Sequence, residues 1–71
     1  MENRLTISVV TPCFNEEESL PDLTKQLLPH LEEPTQGAWE IILVDDGSMD
    51  RTAELIAEEH RRDSRIRGVN E

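Results

Sequence analysis

The chain has 71 residues, of which 35% are hydrophobic, with one Trp, one Phe and no Tyr; a domain this small buries only about 60% of the surface its unfolded form exposes, so its core is thin and its stability marginal. Sixteen acidic residues against seven basic ones give a net charge of −9, which argues against a nucleic-acid partner, because Lys and Arg must replace the counterions of a phosphate backbone. A single cysteine excludes an intramolecular disulfide scaffold, and the longest apolar run, Ile41-Ile42-Leu43-Val44, falls far below the roughly 20 residues of a membrane helix.

With no leader pattern in Met1-Glu2-Asn3-Arg4, these features predict a stretch without a membrane segment, in the reducing cytoplasm. Arg61, Arg62, Arg65 and Arg67 make the C-terminal end locally basic. Phosphate contact is one reading of that run, but a solvated helix end leading into a strand accounts for it better.

The first element is a buried strand, Leu5 to Thr11, β-branched and ended by Pro12, whose missing N–H interrupts a sheet ladder. A helix follows, with Ser19 as its cap, Pro21 in its first turn and Asp22 three residues after the cap. Leu20, Leu23, Leu27, Leu28 and Leu31 form one apolar stripe and predict its core face, and Pro29 bends or tightens the helix near its end. Pro34-Thr35-Gln36-Gly37 reads as a loop.

Trp39 to Val44 is a second strand, and its continuous hydrophobicity predicts cover on both faces. Asp50 caps a second helix running to about Arg62, with Leu55 and Ile56 inward and Glu58 paired to Arg62. Ile66 to Val69 begins a third strand. The alternation predicts an α/β fold, an open parallel sheet of βαβαβ type with right-handed crossovers. Sheets of this kind bind ligands beyond the carboxyl ends of their strands.

Two segments leave those ends, Pro12-Cys13-Phe14-Asn15-Glu16-Glu17-Glu18 and Asp45-Asp46-Gly47-Ser48-Met49-Asp50, and they should face one crevice. Neither G-x-G-x-x-G nor G-x-x-x-x-G-K-[ST] occurs, so no Gly-rich phosphate cradle is present. A carboxylate pocket beside an aromatic ring instead suits a nucleoside. Phe14 offers a stacking face, Asp46 can accept the imino N–H of uracil or guanine, and Glu16 can accept from ribose hydroxyls. Gly47 permits a close turn. Adjacent Asp45 and Asp46 also suit Mg²⁺, although neighbouring side chains on a strand point to opposite faces. Glu17 and Glu18 read as a solvated helix approach, Cys13 as a small buried residue, and His30 and His60 as surface or packing residues.

Ser8 to Glu17, followed by Trp39 to Thr52, resembles the start of family 2 glycosyltransferases, and the Asn15-Glu16-Glu17-Glu18 variant is most similar to the dolichol-phosphate mannosyltransferase and polyprenyl-phosphate glycosyltransferase branch. The likeness covers residues 6 to about 69. It implies the N-terminal nucleotide-binding half of a GT-A, Rossmann-like fold, incomplete in residues 1–71, and inverting transfer from a UDP- or GDP-sugar to a lipid-linked phosphate. By position it places Pro12, Phe14, Asn15 and Glu16 with Asp45 and Asp46 at the nucleotide, Asp46 meeting the base and Asp45 supporting the strand end. Phe14 stands where the family commonly has Tyr, which loses a hydroxyl contact and keeps stacking.

The family's Asp-x-Asp motif for a divalent metal (Mg or Mn), and its general base, lie beyond Glu71 by the same resemblance. No catalytic residue is therefore expected here, and the chain alone should bind a nucleoside diphosphate weakly or undetectably and should not catalyse. Two other readings compete. Ile42 to Asp46 also resembles the acidic pair of phospho-receiver domains, with Asp63 as a poorly placed acceptor, and the chain could instead be a truncated remnant without function.

Overall fold

In the computed structural model, which describes residues 6–70, the chain runs β1 (Ile7–Cys13), α1 (Leu20–Thr35), β2 (Trp39–Asp45), α2 (Thr52–Arg62) and β3 (Ile66–Asn70). The three strands are parallel in the order β1-β2-β3, the architecture predicted from the alternation. Ile7 pairs with Trp39 and Cys13 with Asp45, while Asp45 pairs in turn with Asn70. All three strands thus end at one level, and the segments following β1 and β2 leave the sheet side by side.

Crossovers of one hand that step in one direction across a sheet put both helices on the same face. Leu20 and Leu31 of α1 and Ile56 of α2 accordingly share one core with Cys13, Trp39, Ile41, Leu43 and Ile66. Leu23, Leu27 and Leu28 pack against it half-buried. Burying a Leu or Ile side chain fully contributes about 1.5–3 kcal/mol, so this single layer carries most of the fold's apolar stabilisation. At Gly68 an added Cβ would collide with the Ile56 side chain; glycine there lets α2 lie directly on β3.

The one-sided core corrects the expectations that the first strand is buried and that the second is covered on both faces. Along β2, buried Trp39, Ile41, Leu43 and Asp45 alternate with half-buried Glu40, Ile42 and Val44. On β1, Val10 is 60% exposed. The strand also runs through Pro12 to Cys13 and does not stop at Thr11. Among the described residues β1 has a partner on one side only, and an edge strand tolerates a residue that cannot donate to a ladder. Leu5, taken as the start of this strand, lies outside the described residues.

Helix α1 starts where expected, but Ser19 makes no side-chain cap; its hydroxyl donates to Glu16 Oε2 at 2.7 Å, and the Leu20 N–H donates to the Glu16 carbonyl at 2.9 Å. The helix also passes through Pro29 and Pro34, absorbing Pro34 and Thr35 from the expected loop. Buried Thr35 anchors that last turn by donating to the Leu31 carbonyl at 2.6 Å, and Gln36 in the left-handed conformation ends it.

The N-cap of α2 is Arg51, without a side-chain cap, and not Asp50 as expected; Asp50 stands one residue earlier, and its Oδ1 accepts the N–H of Thr52, the first helical residue, at 2.9 Å. The expected Glu58–Arg62 pair does not form. Glu59 is the buried acid of this helix, accepting from the Thr24 hydroxyl of α1 at 3.0 Å, and Arg62 reaches Glu59 at 3.6 Å while Glu58 meets Arg51 at 3.9 Å.

At the amino ends of the strands Arg65 and Arg67 of the arginine run engage internal partners. Arg65 lies 4.0 Å above the Trp39 ring, donates to Asp63 and to the Gly37 carbonyl, and pairs with Glu32, which accepts the Trp39 Nε1–H at 2.8 Å. Arg67 pairs with Glu40 at 2.7 Å.

Candidate functional site

The two acidic corners meet at the carboxyl end of the sheet. The Asp46 N–H donates to the Cys13 carbonyl at 3.2 Å, one step beyond the Cys13–Asp45 register pair, so Phe14 and Asp46 leave adjacent strands side by side. Four further hydrogen bonds tie the corners. The Asn15 N–H donates to Ser48 Oγ at 2.9 Å, and Asn15 Oδ1 accepts the Met49 N–H at 2.9 Å. The Glu16 N–H donates to Thr52 Oγ1 at 2.8 Å, and the Glu17 N–H to Asp50 Oδ2 at 3.3 Å.

Local conformation makes this possible. Asn15 adopts φ 51°, a left-handed conformation that Asn tolerates better than most residues, and it reverses the chain between Phe14 and Glu16. Gly47 at φ 73° turns the second corner. The amides of Glu16 and Glu17, at the approach to α1, thereby find acceptors on the opposite corner rather than in their own segment.

The expected site residues divide into two sets. Phe14, 57% exposed, together with Glu16 and Asp46, presents its side chain to solvent. Asp45 is buried, and its Oδ1 accepts the Ser48 N–H at 3.0 Å, so it braces the turn and faces away from any ligand at the rim. Asn15 braces in the same sense, with its side-chain oxygen committed to Met49. A cleft of about 430 Å³ opens beside β1, walled by Pro12 and Glu16 and by Ser19, Asp22 and Gln26 of the α1 side. Phe14 and Asp46 stand outside its wall.

The sequence reading missed Ser48 and Thr52 as structural acceptors and gave Asp50 only its cap. Asp50 also spans the corners to Glu17, and the hydroxyl of Thr52 holds its carboxyl below the ordinary value, with the backbone N–H groups of Thr52 and Glu17 adding to the effect. Short polar residues after a strand were the available signal, but their partners are more than thirty positions away.

Among the described residues no Lys or Arg pairs with Glu16, Asp45, Asp46 or Asp50. Burial pushes the Cys13 thiol up, and the carboxylates of Glu16 and Asp45 add to that, so Cys13 stays protonated and unreactive at neutral pH. A metal does not fit these corners. Asp45 and Asp46 point apart, and among the described residues no three of His, Cys, Asp or Glu gather to hold an ion. The receiver reading fails on geometry as well, because Asp63 is bound by Arg65 at the far end of the sheet.

No helix among the described residues is long and apolar enough to cross a membrane. An undecaprenyl-phosphate 4-deoxy-4-formamido-L-arabinose transferase of Pectobacterium carotovorum subsp. carotovorum is 56% identical over 52 residues, 73% of this chain and 16% of that protein. The protein of the same description in Salmonella choleraesuis is 50% identical over 50 residues, 70% of this chain and 15% of that protein. The chain therefore spans about a sixth of the curated relatives it matches. The crystal structure of residues 1–349 of S. aureus TarS superposes with a TM-score of 0.74 at 24% identity, over 94% of this chain and 19% of that one, a shared fold. Residues 8–71, almost everything described above, match the family model of Glycosyl transferase family 2, and the chain belongs to that family.

Proposed function

We propose that residues 1–71 are the N-terminal, nucleotide-sugar-binding part of an inverting glycosyltransferase that acts at the cytoplasmic side and passes a sugar to a polyprenyl-phosphate acceptor. The acceptor class is supported by the curated relatives, both undecaprenyl-phosphate transferases by description. The observation that carries the donor site is the Asp46 N–H to Cys13 carbonyl bond, which sets an exposed aromatic ring beside an exposed carboxylate at the end of a parallel sheet. In this reading Phe14 stacks on the base, Asp46 accepts its imino N–H, Glu16 accepts from the ribose, and Pro12 walls the adjoining cleft.

Electrostatics limit what these corners hold. Carboxylates without a cationic partner attract N–H and O–H donors and repel phosphate. The corners therefore suit the uncharged head of the donor, base and ribose, and not its diphosphate. Neutralising the leaving diphosphate and activating the acceptor need groups that the described residues do not supply, a divalent metal and a general base in this reading. The chain by itself binds the head group weakly and transfers nothing.

Amide shifts of the isotope-labelled chain during titration with UDP and with GDP test this. Shifts centred on Phe14, Glu16 and Asp46 are expected, and Asp46→Ala should cost about 1–3 kcal/mol of binding by leaving a ligand N–H without its acceptor. A response that Asp46→Ala leaves unchanged would remove Asp46 from the base contact. Micromolar affinity by calorimetry would contradict the weakness of the isolated site.

A further inference from the structure

The residue between the two exposed ligand groups of the first corner is the one most heavily tied to the second. Asn15 gives its N–H to Ser48 Oγ and its side-chain oxygen to the Met49 N–H, both at 2.9 Å. Its φ of 51° turns the chain between Phe14 and Glu16. Each of these features fixes a different quantity. The left-handed turn sets how Phe14 and Glu16 diverge, and the two bonds set how far both stand from the corner that carries Asp46. Asn joins these tasks in one side chain: it tolerates the left-handed region, and its side-chain oxygen accepts a backbone N–H.

We propose that Asn15 is a positioning residue, a strut that holds Phe14, Glu16 and Asp46 in one arrangement and does not itself touch the nucleotide. The proposal rests on the nucleotide reading above for its consequence and on the hydrogen bonds alone for its geometry. It also explains why Asp45 and Asn15, both bracing residues, flank groups that face outward. A site built on two mobile corners would have to order them at the moment of binding; the strut orders them beforehand.

Two variants separate the parts of this role. Asn15→Gly keeps access to the left-handed conformation and deletes the side-chain acceptor. Asn15→Asp keeps an acceptor oxygen for Met49. In the labelled chain, Asn15→Gly should lose hydrogen-exchange protection of the Met49 amide and the NOEs joining residues 14–16 to 46–49, with the Ile41 and Leu43 methyl signals unmoved. Its response to UDP or GDP should weaken about tenfold or more, the scale on which small misplacements of binding groups act. Asn15→Asp should restore both.

Corners that stay joined in Asn15→Gly, or a nucleotide response equal to the unsubstituted chain, overturn the strut. Failure of Asn15→Asp to rescue overturns the role of the acceptor oxygen. If neither nucleotide shifts the unsubstituted chain while the corners still part in Asn15→Gly, the strut stands and the nucleotide reading falls. Should Asn15→Gly unfold, Ser48→Ala, which removes only the second tie, must part the corners in the same direction by a smaller amount, and its silence would count against the strut.

Discussion

The two ends of the sheet are closed by different chemistry. At the carboxyl end, Asn15, Ser48 and Thr52 join the corners with short, uncharged side chains, Asp50 lends its carboxylate to backbone N–H groups, and Arg51 at the start of α2 turns to Glu54 and Glu58. At the amino end, Arg65 gathers Asp63, Glu32, the Gly37 carbonyl and the Trp39 ring into one charged clasp. Among the described residues, Arg65 and Arg67 are committed at the amino end and Arg51 to acids of its own helix, so no arginine pairs with Glu16 or Asp46. The difference teaches how a site can keep its carboxylates free. Short hydroxyl and amide side chains, with Asp45 and Asp50 accepting backbone N–H groups, hold the geometry, so the Asp46 carboxylate is not consumed in holding it and Glu16 gives one oxygen to the Ser19 hydroxyl.

The larger test of that contrast is Thr52→Val. Thr52 is fully buried, accepts from Glu16 and donates to Asp50, so valine leaves a backbone N–H and a carboxylate oxygen short of partners in a space of nearly unchanged shape. The expected loss is about 1–3 kcal/mol in urea unfolding, equal at low and at high salt because no ion pair is involved. Arg65→Met should lower the urea midpoint less, and the difference from the unsubstituted chain should shrink as salt rises, since its partners are partly exposed charges. A salt-sensitive Thr52→Val or a salt-insensitive Arg65→Met would erase the distinction between the ends.

How far the sequence disclosed this follows from the range over which each feature is decided. Element order, parallel pairing and the convergence of Phe14 with Asp46 came from local periodicity and from the rule that parallel strands end on one side. Pro12 misled because its effect depends on whether β1 has one neighbour or two, which no local pattern records. The continuous apolar run of β2 predicted two covered faces, but cover depends on where both helices cross. Pro34 and Thr35 read as loop until burial of Thr35 and its bond to Leu31 held them in α1. Asp45 was expected to support the strand end and it braces the turn through the Ser48 N–H, whereas the tie from Asn15 to Met49 was not legible, because its partner lies more than thirty positions away.

Acid should weaken the charged end of the sheet. The Arg65 guanidinium, then the Arg65 backbone N–H, holds the Asp63 carboxyl below its ordinary value; the Ser8 hydroxyl and then Arg67 do the same for Glu40. A carboxyl held low in the folded chain is protonated first in the unfolded chain as the pH falls. The unfolded state then binds more protons, and stability present above the ordinary carboxyl range of about 4 is lost progressively below it. Asp63→Asn removes one such carboxyl and should flatten the fall of the urea midpoint between about pH 5 and pH 2. Asp50 belongs to the neutral end but is also held low, first by the Thr52 hydroxyl. Thr52→Val should therefore flatten the same acid limb without acquiring salt dependence, whereas Asp63→Asn should alter both. Acid curves of the two variants at two salt concentrations separate a carboxyl held by dipoles from one held by a guanidinium, and curves that coincide would mean that both ends rest on the same electrostatics.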